Sequence, residues 1–326
     1  MVDLPMQPPG TNNRTKFLPV IILGTMAAGM GFYATQLIIN SSKPCQHPDV
    51  QDLNRQKDVA ARYDETADSF DSEVGTSEAL MGINSIRKKL SKQCKGDVLE
   101  VSCGTGRNLG YYDLSNASAV DSVTFIDLSK QMVDVCKKKW NTLYPNVNAA
   151  HFKPNLSVRF ATGSALNAMP LAPGDKKYTT IIQTMGLCST PSPHELLRNM
   201  AQHLDVSNPD ARILLLEHGR SDKGWLNNII DNAAEKHAEI HGCWFNRDIG
   251  GIVESVAADS GLEVVAQRRK HFGTTCVFEL KPTDKTVAVA AKAASGPASE
   301  SEVATSSSQS SQSTQSTGWR SWLGLN

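Results

Sequence analysis

Between about residues 58 and 280 the chain alternates short β-rich runs with helical stretches, and this alternation limits the folds open to it more than any other feature. The runs are DVLEVS (97–102), SVTFID (122–127), SVRFAT (157–162), YTTIIQT (178–184) and ARILLLEH (211–218), with stretches such as 129–140 and 193–204 helical between several of them. Strands joined through helices pair in parallel and need cover on both faces, so the pattern predicts an α/β fold with a parallel sheet. Two further runs, LEVVAQR (262–268) and TTCVFEL (274–280), are separated by RKHFG alone. No crossover helix fits in that space, which predicts an antiparallel hairpin at the sheet edge. Leu80, Ile83, Ile86 and Leu90 recur at helical spacing and predict a helix before Gly96.

The string from Val98 to Asn108, VLEVSCGTGRN, places a strand ending in an acid before a glycine turn that should open a helix. Gly104 and Gly106 allow a tight turn and a close approach of backbone to ligand. The next glycine, Gly110, is one position late for the G-x-G-x-x-G spacing of nicotinamide binding. Glu100 would also repel a pyrophosphate, whereas it suits a cationic ligand end such as an amino group. Asp127 ends the following strand, 21 residues after Gly106, where a carboxylate can accept from both hydroxyls of a ribose. Met132, one turn into the next helix, suits an adenine face. Capping by Asp127 and core packing by Met132 are the plain structural alternatives.

In order, VLEVSCGTGRN, TFIDLSKQM, FATGSALNAMPL and TIIQTMGLCS resemble the cofactor motifs of class I methyltransferases, over about residues 58–280. They are most similar to the branch of the ubiquinone and menaquinone biosynthesis methyltransferases. With the apolar N-terminal run, RYDETADSFD and EKHAEIHGCWFNRDI, the chain resembles the fungal mitochondrial inner-membrane methyltransferase family. The resemblance implies a Rossmann-like seven-stranded sheet closed by the C-terminal hairpin, and S-adenosyl-L-methionine as cofactor. It implies that Glu100, Gly104 and Gly106 hold the methionine end, with Ser102 in the same turn, while Asp127 and Leu128 meet the ribose. Met132, Ser164 and Ala165 would border the adenine, Gln183 would sit beside the methionine portion, and Tyr63 would belong to a lid helix. Two departures stand out: Ser102 replaces a usual glycine, and Ser164 replaces a frequent acid. Leu187-Cys-Ser-Thr190 also stands where quinone-methylating enzymes carry an arginine, which argues against a quinone acceptor.

The acceptor side is less defined. Glu217 and His218 close the fifth run, at the carboxyl edge where open α/β sheets bind ligands, and are the acceptor-side candidates, with local capping or hydrogen bonding the plain alternative for His218. Arg220 lies close by. His237 and His241 are four apart on one helix, but no third metal ligand is evident. Cys243 and Trp244 suit either an acceptor pocket or the core. The seven cysteines contain no C-x-x-C pair, so their spacing indicates neither a zinc site nor a disulfide framework. Free thiols suit a reducing compartment. With 33 basic and 33 acidic residues, global charge gives no argument for nucleic-acid binding.

From Phe17 to Ile39 no residue is charged. At about 1.5 Å per residue this run is roughly 35 Å long, enough to span a bilayer core as a single-pass anchor. Basic residues on its two sides are too evenly matched to orient it, and MVDLPMQPPG does not resemble an amphipathic transit peptide. The organisation expected is an N-terminal segment (1–16), a transmembrane helix (17–39), a linker (40–57), a methyltransferase domain (58–281) and a disordered low-complexity tail (282–326). Family resemblance places the anchor in the mitochondrial inner membrane with the domain facing the matrix. It leaves the acceptor open as a lipophilic small molecule, a protein or an RNA. A non-catalytic binding or assembly factor on the same fold is the alternative.

Overall fold

A computed structural model of the chain describes residues 14–43, 48–146 and 152–294. Seven strands form one sheet: β1 (Gly96–Val101), β2 (Val120–Asp127), β3 (Ser157–Thr162), β4 (Thr180–Thr184), β5 (Arg212–His218), β6 (Leu262–Lys270) and β7 (Thr275–Pro282). Their order is β3-β2-β1-β4-β5-β7-β6, with β7 antiparallel to β5 and β6 and the other pairings parallel. The seven runs read from the sequence coincide with these strands to within two residues. Buried β-branched and leucine side chains point to both faces of β1, β4 and β5, so the central strands are covered on each side, as parallel strands require.

The helices are α1 (Arg14–Ser42), α2 (Ala61–Thr66), α3 (Phe70–Leu80), α4 (Ile83–Ser91), α5 (Lys130–Leu143), α6 (Pro193–His203), α7 (Gly224–His241), α8 (Ile249–Asp259) and α9 (Asp284–Ala294). α6 and α8 cover one face of the sheet, while α4 and α5 cover the other. The Phe17–Gln36 part of α1 is long and apolar enough to cross a membrane, and none of it is buried. α1 touches the rest of the protein at α7.

Four details differ from the sequence reading. Leu80 ends α3 and is exposed, because Gly82 at φ +68 breaks the expected helix and restarts it as α4. No α-helix opens after the glycine turn. Gly104 and Gly106 both have positive φ, and a single 3-10 turn at Leu109–Tyr111 follows. The stretch expected as a linker is packed from Val50 onward. The Gln56 Oε1 accepts from Arg247 Nε at 2.7 Å, Gln51 Nε2 donates to Asp231 at 2.9 Å, and the Trp244 indole donates to Lys57 O at 3.0 Å. The expected disordered tail begins with α9, capped by Thr283; residues 295–326, with their low-complexity run, lie outside the described residues, as does the N-terminal segment up to Asn13.

α3 is bolted across the glycine turn by charge. Glu78 accepts from Arg87 at 2.9 Å and from Arg107 at 2.7 Å, and Asp71 accepts from Thr105 at 2.7 Å and from Lys139. Burial pushes the Glu78 carboxyl up, but the Arg87 and Arg107 guanidiniums outweigh it and hold the group below its ordinary range. Stability from this carboxylate is therefore present at neutral pH and lost as pH falls through its depressed folded value. Replacing Glu78 takes the ion-pair partner from the almost fully buried Arg87 guanidinium, while Arg107 keeps Asp71. Glu78→Ala is expected to destabilise the protein by about 3 kcal/mol, read as a lowered urea midpoint in detergent; a change below about 0.5 kcal/mol would mean the ion pairs contribute no more than surface pairs.

Candidate functional site

Strand order reverses between β1 and β4, and open α/β sheets bind ligands at such a switch, at the carboxyl ends of their strands. A cavity of about 830 Å³ lies there, within the ~300–1,000 Å³ range of small-molecule sites. Tyr63, Ser102, Gly104, Asp127, Leu128, Met132, Ser164, Ala165 and His218 all line it. Glu100, Gly106, Gln183 and Glu217 do not.

Asp127 organises the turn. Its Oδ2 accepts from the Gly104 amide at 2.8 Å and its Oδ1 from the Ser129 amide at 2.9 Å. Ser129 Oγ in turn accepts from the Met132 amide and caps α5. Burial raises the Asp127 carboxyl, against the pull of the Ser129 and Gly104 amides. Each carboxylate oxygen keeps a lone pair for a further donor. The capping role and a ligand role are thus compatible in one side chain.

The two turn glycines differ. A Cβ on Gly106 would lie 2.6 Å from Leu109 Cδ1 and 2.7 Å from Cys136 Sγ, so packing behind the turn demands glycine there. A Cβ on Gly104 would meet nothing within 4 Å, since that position faces open space. Ser102 has φ +54, a left-handed conformation that favours the glycine it replaces. Its Oγ accepts from Gln183 Nε2 at 3.1 Å, which leaves Gln183 Oε1 buried without a partner.

Glu100 corrects an expectation. The carboxylate does not reach the cavity but turns inward, accepting from Asn108 Nδ2 at 3.0 Å and from the Tyr112 hydroxyl. Burial pushes it up to about 7 despite these donors and Arg87. The chain that would have continued as a helix after the glycines delivers Asn108 and Tyr112 instead, and they enclose the acid. Arg87 and Arg107, which no motif flagged, stand in the cavity wall; the signal for them was the seven-residue spacing of their partners Asp71 and Glu78 along one helix face.

Tyr63 packs edge-on against Phe70 at 6.0 Å, and its hydroxyl is engaged by Ser189 Oγ at 2.7 Å and Gly242 O at 2.9 Å. It closes the cavity by tying α2 to the loops after β4 and α7. Ser164 Oγ accepts from the Leu166 amide, a local turn at the cavity edge.

On the acceptor side, Glu217 is fully buried and holds the loop after β4 by accepting from the Gly186 and Cys188 amides at 3.0 and 3.3 Å. That excludes it as a group facing ligand. His218 does face the cavity, and burial, with His237 nearby, pushes it down to about 4. It is a neutral imidazole at physiological pH. Arg220 is turned away, paired with the buried Asp231 at 2.6 Å. His237 and His241 line the cavity with rings 4.7 Å apart, and His237 Nδ1 lies 2.9 Å from Cys243 O. Trp244 belongs to a small apolar cluster with Ala234 and Ala238 and does not line the cavity. Sequence spacing missed one constellation: Cys188, His218 and Cys243, from three separate segments, bring their ligand atoms within 4.8 Å of one another.

The reversed parallel sheet and its antiparallel final hairpin make a Rossmann-like, seven-stranded fold of the methyltransferase type. The chain belongs to the methyltransferase-domain family, whose pattern matches residues 78–267. It is 37% identical over 255 residues to the mitochondrial methyltransferase OMS1 of Saccharomyces cerevisiae, an alignment covering 73% of this chain and 50% of that protein. The chain thus spans about half the length of that relative. Among solved structures, magnesium protoporphyrin IX methyltransferase from Synechocystis with bound S-adenosylmethionine is 15% identical, covering 70% of this chain and 98% of that one at a TM-score of 0.43. The [4+2]-cyclase SpnF is 14% identical, covering 61% and 81% at a TM-score of 0.43.

The two glycines separate packing from binding. Gly106→Ala is expected to cost about 3 kcal/mol from left-handed strain plus overpacking, measured by urea unfolding. Gly104→Ala should cost only about 1 kcal/mol yet weaken S-adenosylmethionine at least tenfold in calorimetry. Equal losses of stability would refute the division.

Proposed function

We propose that this methyltransferase works from a mitochondrial membrane, anchored through α1, and transfers methyl groups to a membrane-proximal acceptor that enters the cavity beside His218. The observation that carries the site reading is the Asp127 carboxylate. It stands at the end of β2 on the same cavity as the open Gly104 turn and has lone pairs to spare. These residues fit the nucleoside end of the cofactor: Asp127 would accept from the ribose hydroxyls, with Leu128, Met132, Ser164 and Ala165 around the base. At the methionine end the wall carries both charges, with Arg87 and Arg107 beside Glu73 and Glu78. Arg87 and Arg107, held by Glu78 and Asp71, offer guanidinium N–H groups to a ligand carboxylate there.

Bound S-adenosylmethionine supplies an electrophilic methyl on a sulfonium, open to in-line displacement by an electron-rich acceptor. The chain's own part is positioning and exclusion of water. Tyr63 and α3 cover the cavity, while Glu217 and Arg247 fix the loop that carries Cys188. That loop is braced by Arg247 Nη1, which donates to Leu187 O and Thr190 O at 2.6 Å each. The mitochondrial setting is supported by the name of the yeast relative, and the anchor by the exposed apolar length of α1.

The full chain reconstituted in nanodiscs is expected to bind S-adenosylmethionine, and Asp127→Ala should weaken binding at least tenfold, since two hydrogen bonds to a charged group contribute about 1.5–3 kcal/mol each. Incubation with methyl-labelled donor and mitochondrial membranes should label a membrane-associated acceptor. Binding unchanged in Asp127→Ala would overturn the site reading, and label confined to a soluble acceptor would overturn the membrane reading.

A further inference from the structure

We infer that Cys188, His218 and Cys243 form a zinc site at the acceptor end of the cavity, with its fourth position open to the acceptor's thiol or hydroxyl. The six described cysteines divide in two. Cys94, Cys103, Cys136 and Cys276 sit inside the two large apolar clusters, where a thiol acts as a small hydrophobe. Cys188 and Cys243 are also buried, but they belong to no apolar cluster among the described residues and converge on one imidazole.

The geometry matches a tetrahedral metal. With Zn–S of about 2.3 Å and Zn–N of about 2.0 Å, the sulfur–nitrogen edge of a tetrahedron is about 3.5 Å. The Cys243 Sγ to His218 Nδ1 separation is 3.8 Å, and all three ligand atoms lie within 4.8 Å of one another. The pieces arrive from the loop after β4, the end of β5 and the loop after α7, and each is held from behind. Glu217 Oε2 accepts from the Cys188 amide, the Trp244 amide donates to Cys188 O at 2.9 Å, and His237 Nδ1 meets Cys243 O. Two thiolates and one imidazole select zinc among common divalent ions, and three protein ligands leave the fourth position free. All three residues line the cavity, so that position faces where an acceptor would enter. A metal there would lower the acceptor's pKa, so that its proton would pass to water and the bound thiolate or alkoxide would be the nucleophile. This catalytic role rests on the donor-and-acceptor reading above; metal binding itself does not.

The test is cobalt titration of the full chain, purified in detergent under reducing conditions and stripped with chelator, with S-adenosylmethionine binding measured on the same sample. One equivalent of cobalt should give a thiolate-to-cobalt charge-transfer band that one equivalent of zinc abolishes. Cys243→Ser should lose about half the band. His218→Ala should keep the band with affinity weakened at least tenfold. Cys276→Ser, a core thiol, should leave it unchanged. Cobalt binding without the band, or with a band that survives Cys243→Ser at full strength, would overturn the site. So would recovery of a Cys188–Cys243 disulfide in place of metal. No metal site with cofactor binding intact defeats this inference alone, whereas absent cofactor binding defeats the reading it rests on.

Discussion

Where β1 and β4 lie side by side, the chain leaves the sheet in opposite directions, and the crevice this opens is what every other feature of the site depends on. One carboxylate keeps it in shape. Asp127 joins the end of β2 to the turn after β1 by taking the Gly104 amide on one oxygen and the Ser129 amide on the other. The turn therefore cannot drift from the helix that follows β2. Glu78, between Arg87 and Arg107, does the corresponding work from above by fixing α3 over the same turn. An anion below and an anion above, each satisfied by groups of the turn or its neighbours, hold the cavity open without any side chain filling it.

Strain concentrates at the same place. Ser102 after β1 and Met185 after β4 are non-glycine residues with φ of +54 and +63, on adjacent strand ends. Such conformations cost on the order of 1–3 kcal/mol each and persist where the surroundings over-determine them. Here Gln183 supplies part of that determination through its bond to Ser102, at the expense of its own unpartnered oxygen. The serine that departs from the family pattern is thus accommodated by a neighbour on the next strand, and the backbone keeps the glycine-like turn.

The strands were legible because their signal is local: each run carries its own β-branched or aromatic pattern and its own boundaries. The hairpin was legible for the same reason, and spacing along the chain also placed Asp127 at the end of β2 and Gly104 in the turn after β1. Glu100 was misread because its fate is decided by Asn108 and Tyr112, whose inward turn follows from a helix that did not form. The pattern of positions 50–57 looked like linker because Gln51, Gln56 and Lys57 are polar, yet their polar atoms are the ones that Asp231, Arg247 and Trp244 require. Cys188, His218 and Cys243 are 25 or more residues apart, and no periodicity connects them. Local chemistry was readable in advance; convergence across the sheet was not.

Geometry also limits what the enzyme can reach. α1 ends at Ser42 and the packed part of the domain begins near Val50, with the short turn at Pro48–Gln51 already structured. Six residue steps from Ser42 to Pro48 extend at most roughly 20 Å. With α1 in a bilayer, as proposed, the domain cannot leave the surface by more than a fraction of its own diameter. An acceptor dissolved in the membrane or bound to it then meets the cavity at a high effective concentration, while a freely soluble acceptor gains nothing from the tether. On the same proposal, a lipophilic acceptor would be desolvated beside His218, Cys188 and Cys243, where the buried Glu217 and Arg247 brace the loop after β4. With α1 in the bilayer as proposed, a braced loop and a short tether would together favour acceptors that the membrane has already concentrated and oriented.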